Sequence, residues 1–72
     1  MWIKTQYGEL VNTDYVTHFS VKNRKDKLTI NAEINSGVSV EVGEYDTVDA
    51  KSKAVEEFVQ KIRRTGERFY QF

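Results

Sequence analysis

The sequence predicts an α+β fold: an antiparallel sheet of about four to five strands over residues 1–45, then one C-terminal amphipathic helix over 47–65 packed on one face, and an aromatic tail at 67–72. Two changes of pattern carry this reading. Apolar residues alternate with polar ones before Asp46, and from Val48 to Ile62 they recur at helical spacing. A chain of 72 residues also allows one domain, 1–72, and too little for two.

The sheet elements follow in order. Trp2 alternates with Ile3 and Thr5, and Tyr7-Gly8-Glu9 reads as a turn leading into Leu10 and Val11. From Tyr15 to Lys22 the residues Tyr15, Thr17, Phe19 and Val21 share one side and Val16, His18, Ser20 and Lys22 the other, as a half-buried strand requires. Asn23-Arg24-Lys25-Asp26 is a polar turn. Leu28, Ile30, Ala32 and Ile34 then alternate with Thr29, Asn31 and Glu33, and Val38, Val40 and Val42 resume the period after Asn35-Ser36-Gly37. That is a hairpin, because asparagine and glycine tolerate the positive φ of tight turns.

The helix rests on Val48, Val55, Phe58, Val59 and Ile62, an i, i+7, i+10, i+11, i+14 stripe. Asp46 or Thr47 is placed to cap it, Asp46 and Asp49 put negative charge at its positive end, and Lys61, Arg63 and Arg64 put cations at the other. Gly66 suits the C′ position.

Composition excludes more than it identifies. No cysteine means no disulfide framework, thiolate zinc site or cysteine nucleophile. No apolar run approaches the ~18 residues of a membrane span, and no leader pattern precedes the first strand, so a cytoplasmic location is expected. Lys+Arg and Asp+Glu number eleven each, so the net charge is zero and a polyelectrolyte partner is not the default. Glycines at 8, 37, 43 and 66 are too far apart for a phosphate-cradling loop. His18 is the single histidine, with no second acid, base or nucleophile placed beside it. Glu33, Glu41, Glu44, Asp46 and Asp49 form an acidic section that matches no calcium-loop spacing. Neither a catalytic set, a metal site nor a cofactor is expected, and the chain reads as no enzyme.

Two features point to partners. Phe69, Tyr70 and Phe72 fall in the last four residues, where chain ends are usually polar, and Trp2 poses the same question at the other end. Such aromatics either fold back on their own sheet or dock on a partner as interface anchors, and the sequence leaves both open. Apolar burial at ~25 cal/mol per Å² roughly cancels conformational entropy in so short a chain, so self-association is expected to help. The leading expectation is a non-enzymatic interaction module, forming a homo-oligomer or binding another protein through Trp2, Phe69, Tyr70 and Phe72. The alternative is nucleic-acid binding through Lys22, Arg24, Lys25 and Lys27 with Arg63 and Arg64 at the helix end.

The opening Met1-Trp2-Ile3-Lys4-Thr5-Gln6-Tyr7-Gly8-Glu9-Leu10-Val11-Asn12 and the later Gly43-Glu44-Tyr45-Asp46-Thr47, running into the helix, resemble a group of small uncharacterised proteins of Gram-positive bacteria and their prophages. That group shares a W-I-x-T-x-x-G-x-L-V-N start and a G-x-Y-D/S-T strand-to-helix junction. The likeness extends to about Ile62 and implies a domain of unknown function, with no activity, cofactor or site residue to carry over. The aromatic tail lies outside the shared pattern.

Overall fold

The structure is a computed structural model that describes residues 1–35, 37–63 and 68–72, with Arg24 described by its backbone alone. Thr5, buried beneath the first turn, organises the start of the chain: its hydroxyl accepts the amides of Tyr7 and Glu9 at 3.2 and 3.1 Å. Gly8 sits there at φ 84°, a conformation that glycine adopts without steric cost. The turn joins β1 (Trp2–Lys4) to β2 (Leu10–Asn12) in antiparallel register, with Ile3 opposite Val11.

A one-turn 3₁₀ segment, Thr13–Tyr15, then redirects the chain. The Asn12 side chain caps it by accepting the Asp14 amide, and Thr13 donates from both its amide and its hydroxyl to the Met1 carbonyl. Because the backbone bends here, the next strand founds a second sheet. That sheet has the order β3 (Val16–Arg24), β4 (Lys27–Ile34), β5 (Ser39–Tyr45), antiparallel throughout.

The expected hairpin from Leu28 to Val42 is present, with Ile34 donating to Val38 across the loop and Gly37 at φ 86°. A bulge at Val42 sets Ile30 opposite Gly43 and Asn31 opposite Glu41. The ring of Tyr45 folds back over Gly43, where a methyl group would stand 2.8 Å from the phenolic oxygen. The β3–β4 turn is tighter than the sequence suggests: Asn23 and Arg24 remain in the strand, and only Lys25 and Asp26 turn, at φ 48° and 65°. Two positive φ values in a two-residue loop define a type I′ turn.

The helix α1 (Val48–Arg63) is capped by Thr47, whose hydroxyl accepts the Ala50 amide at 3.1 Å. Asp46 pairs instead with Lys27. Of the predicted stripe, Phe58 is buried and Val55 half-buried, whereas Val48, Val59 and Ile62 stay exposed.

Three expectations require correction. Among the described residues the sheet is not one but two, with six strands in place of four or five, because the 3₁₀ turn interrupts pairing between β2 and β3. The helix is not C-terminal: after it, Phe69–Gln71 forms β6, which pairs parallel to β1 and completes the order β2-β1-β6. Tyr15 leaves the β3 alternation, since it belongs to the 3₁₀ segment and the register slips between Val16 and His18. The helix end expected at 65, Arg64 and Gly66 lie outside the described residues.

Both sheets and the helix share one core of Ile3, Val11, Ile30, Ala32, Val42 and Phe58. Phe58 is its hub, meeting Phe19 edge-on at 5.0 Å and the rings of Tyr70 and Phe72 at 5.0 and 4.9 Å.

Phe58→Ala removes all three ring contacts and leaves a cavity, so it should cost about 3–5 kcal/mol. A small domain holds only about 5–15 kcal/mol in total. Urea denaturation followed by circular dichroism checks this. In the opposite direction, Lys25→Asn relieves a left-handed backbone that lysine adopts poorly, and should raise stability by about 0.5–1 kcal/mol in the same assay.

Candidate functional site

The outer face of the small sheet carries two exposed aromatics on neighbouring strands, Trp2 and Phe69. Strand alternation sends Ile3, Val11 and Tyr70 inward and their neighbours outward. In the β1–β6 register Trp2 lies beside Phe69, and in the β1–β2 register it lies opposite Asn12. The next row is Leu10, Lys4 and Gln71. Trp2 is 48 % exposed, Phe69 50 % and Leu10 60 %. Adjacent strands stand about 4.8 Å apart, so the two aromatic side chains rise from neighbouring positions on one face.

The four aromatics expected at an interface therefore divide. Trp2 and Phe69 face outward, while Tyr70 and Phe72 pack on Phe58 and on each other, with ring centroids 5.0 Å apart. Burial and the nearby Glu57 push the Tyr70 phenol above its ordinary pKa, as suits a ring held against the core. Two backbone bonds fix the pairing: Trp2 donates to the Arg68 carbonyl at 2.8 Å and Phe72 to that of Lys4 at 2.9 Å. Leu10 joins the patch although sequence reading passed it over; its alternation with the buried Val11 was the available signal.

Among the described residues, the basic candidates lie at separate places on the fold. Lys27 pairs with Asp46 at the start of the helix, and that carboxylate raises the lysine pKa. Arg63 stands at the far end of α1, about 22 Å along the axis at 1.5 Å per residue. Lys22 lies on the outer face of β3 beside Glu33, and Lys25 is exposed in the turn. The side chain of Arg24 and the whole of Arg64 fall outside the described residues.

The acidic section is similarly occupied. Glu33 Oε1 accepts from Ser20 at 2.8 Å and Ser39 at 3.2 Å, with Lys22 Nζ at 3.4 Å. The Ser20 hydrogen bond, aided by Lys22, holds its carboxyl below the usual glutamate pKa. Glu41 accepts from the Tyr7 hydroxyl. His18 is exposed, with Thr17 Oγ1 3.1 Å from Nδ1. Among the described residues no group of three or more His, Asp or Glu side chains could hold a metal ion, and no helix is long and apolar enough to cross a membrane.

No family model matches the chain, and no curated protein or solved structure matches it.

A carboxylate with a lowered folded pKa stabilises the fold above its ordinary pKa, and that contribution is lost as pH falls through the folded value. Ser20→Ala should therefore move the Glu33 pKa upward and start acid unfolding at a higher pH. An NMR titration of the Glu33 carboxyl carbon, with a parallel acid denaturation curve, checks both.

Proposed function

We propose that this chain is a small non-enzymatic interaction module that associates through the outer face of its three-stranded sheet, with Trp2 and Phe69 as anchors and a second copy as its first partner. The observation that carries this reading is the pairing of the two half-exposed aromatics on neighbouring strands, with Leu10 in the next row of the same face. Exposed apolar side chains scattered singly need no explanation, but aromatics gathered on one rigid sheet face do. Tryptophan and other aromatics dominate the binding energy of protein interfaces.

Lys4, Asn12 and Gln71 share the face and supply polar contacts between the apolar groups. Zero net charge leaves no long-range repulsion between copies. A sheet face is also compatible with a twofold contact, in which the same patch meets itself. The face spans three short strands and falls well below the ~800 Å² per partner of a standard interface, so the expected association is weak, in the micromolar to millimolar range.

The chain has one tryptophan, which makes the test direct. Sedimentation equilibrium should show a mass that rises with concentration, together with a blue shift of Trp2 fluorescence. Phe69→Ser should abolish both while leaving the circular dichroism spectrum unchanged. A strictly monomeric protein with concentration-independent emission would refute self-association through this face.

A further inference from the structure

The two edges of the long sheet are treated unequally. Among the described residues β3, nine residues long, pairs only with β4. The turn between them has two residues, Lys25 and Asp26, which makes Arg24 and Lys27 a hydrogen-bonded pair. Such pairs alternate along an antiparallel ladder, so Lys22 with Thr29, Ser20 with Asn31 and His18 with Glu33 are bonded in the same way. The backbone amides and carbonyls of Phe19, Val21 and Asn23 therefore point away from β4, along the open edge.

The edge of β5 is closed by a single residue. Gln6 donates its backbone amide to the Val42 carbonyl at 2.9 Å, and its side-chain Oε1 accepts the Glu44 amide at 2.8 Å. A residue that donates to one carbonyl and accepts from the amide two positions later bonds its neighbour in the pattern of a parallel strand. Gln6 thus fills one place of an added parallel strand, its side-chain carbonyl standing in for a backbone one. Tyr7 secures it through a hydroxyl on Glu41. The turn carrying both residues does not need β5 for its shape. The Thr5 amide donates to Glu9, the Gly8 amide donates to the Thr5 carbonyl, and the Thr5 hydroxyl accepts the amides of Tyr7 and Glu9.

From this we infer that Gln6 is a plug that holds the place of β3 from a second copy of this chain, and that β5 receives that strand once the plug is released. β3 and β5 are parallel, since each runs antiparallel to β4. A copy set beside the first in the plane of the sheet presents β3 to β5 in the direction that the Gln6 bonds reproduce. The outward groups of Phe19, Val21 and Asn23 then meet the edge at Val42 and Glu44. Every copy keeps a β3 edge at one end and a β5 edge at the other, so the contact is heterologous and extends without closing. Covering an edge is a common guard against such growth, and here the cover is one side chain and one amide. The inference is independent of the Trp2 and Phe69 face.

The test takes the Phe69→Ser protein as parent, so that association through the Trp2 face does not enter. Gln6→Ala combined with Tyr7→Phe removes both side-chain contacts to β5 and leaves the turn its own four bonds. In sedimentation at concentrations up to about 1 mM the parent should keep one mass, while the weight-average mass of the double variant rises at least fivefold without a plateau. Thioflavin T should bind the assembled material, in which the amides of Phe19, Val21 and Asn23 exchange at least tenfold more slowly than in the parent. A double variant that keeps the parent's mass would overturn the inference. So would a mass that stops at twice the parent's, unchanged exchange at those three amides, or loss of the parent's circular dichroism spectrum, which would make Gln6 and Tyr7 part of the fold and not a cover for its edge.

Discussion

The three ring contacts of Phe58 are the constraint on which the rest of the structure depends. One phenyl group on the helix touches Phe19 from the long sheet and Tyr70 and Phe72 from the end of the chain. Aromatic pairs add about 0.5–1.5 kcal/mol each beyond their buried area, a large share of the stability available to a small domain. The cluster also makes the last residues structural. Tyr70 and Phe72 complete the core from inside, and the same strand displays Phe69 outside. Removing the tail would therefore dismantle the fold together with any surface it presents, and only the outward residues can report on binding alone.

A second consequence concerns chain order. β1 and β6 lie parallel, so everything between Lys4 and Phe69 forms the connection that a parallel pair demands. The contact joins the two ends of the molecule and carries nearly the largest loop-closure entropy the chain can offer. The β3–β4 and β4–β5 hairpins, in contrast, are local. The β1–β6 pairing is thus the least local in the described fold and carries the highest closure cost.

How much of this was legible follows from the range of each interaction. Alternation over seven residues from Leu28 to Ile34 fixes a strand by burial alone, and a five-point stripe with Thr47 ahead of it fixes a helix, so both are readable locally. The turn after β3 was legible only as the polar stretch Asn23-Arg24-Lys25-Asp26; its tight form was not, because the positive φ values at Lys25 and Asp26 are imposed by the strands on either side and neither residue advertises them as Asn-Gly would. Phe69–Gln71 is too short for a period to declare itself, and its partner lies at the far end of the chain. Alternation sets Phe69 and Gln71 on one side and Tyr70 and Phe72 on the other, but only Phe58, far away in the sequence, decides which side is inward. The distance between the basic turn and Arg63 is likewise not written in local sequence, because it is the length of the helix axis that sets it.

The two edges of the long sheet show a difference that stability alone does not require. An exposed strand edge invites pairing with other chains, and proteins commonly blunt it with a covering segment or with charge. Here both devices are used, on different edges. Gln6 lies along β5 and satisfies Val42 and Glu44, and Tyr7 reaches Glu41 from the same turn, which closes the acidic edge. β3 carries Lys22, held 3.4 Å from Glu33 on the neighbouring strand, and no carboxylate of its own. Covering one edge prevents basic and acidic edges from joining head to tail into an open filament, a contact that would not close on itself.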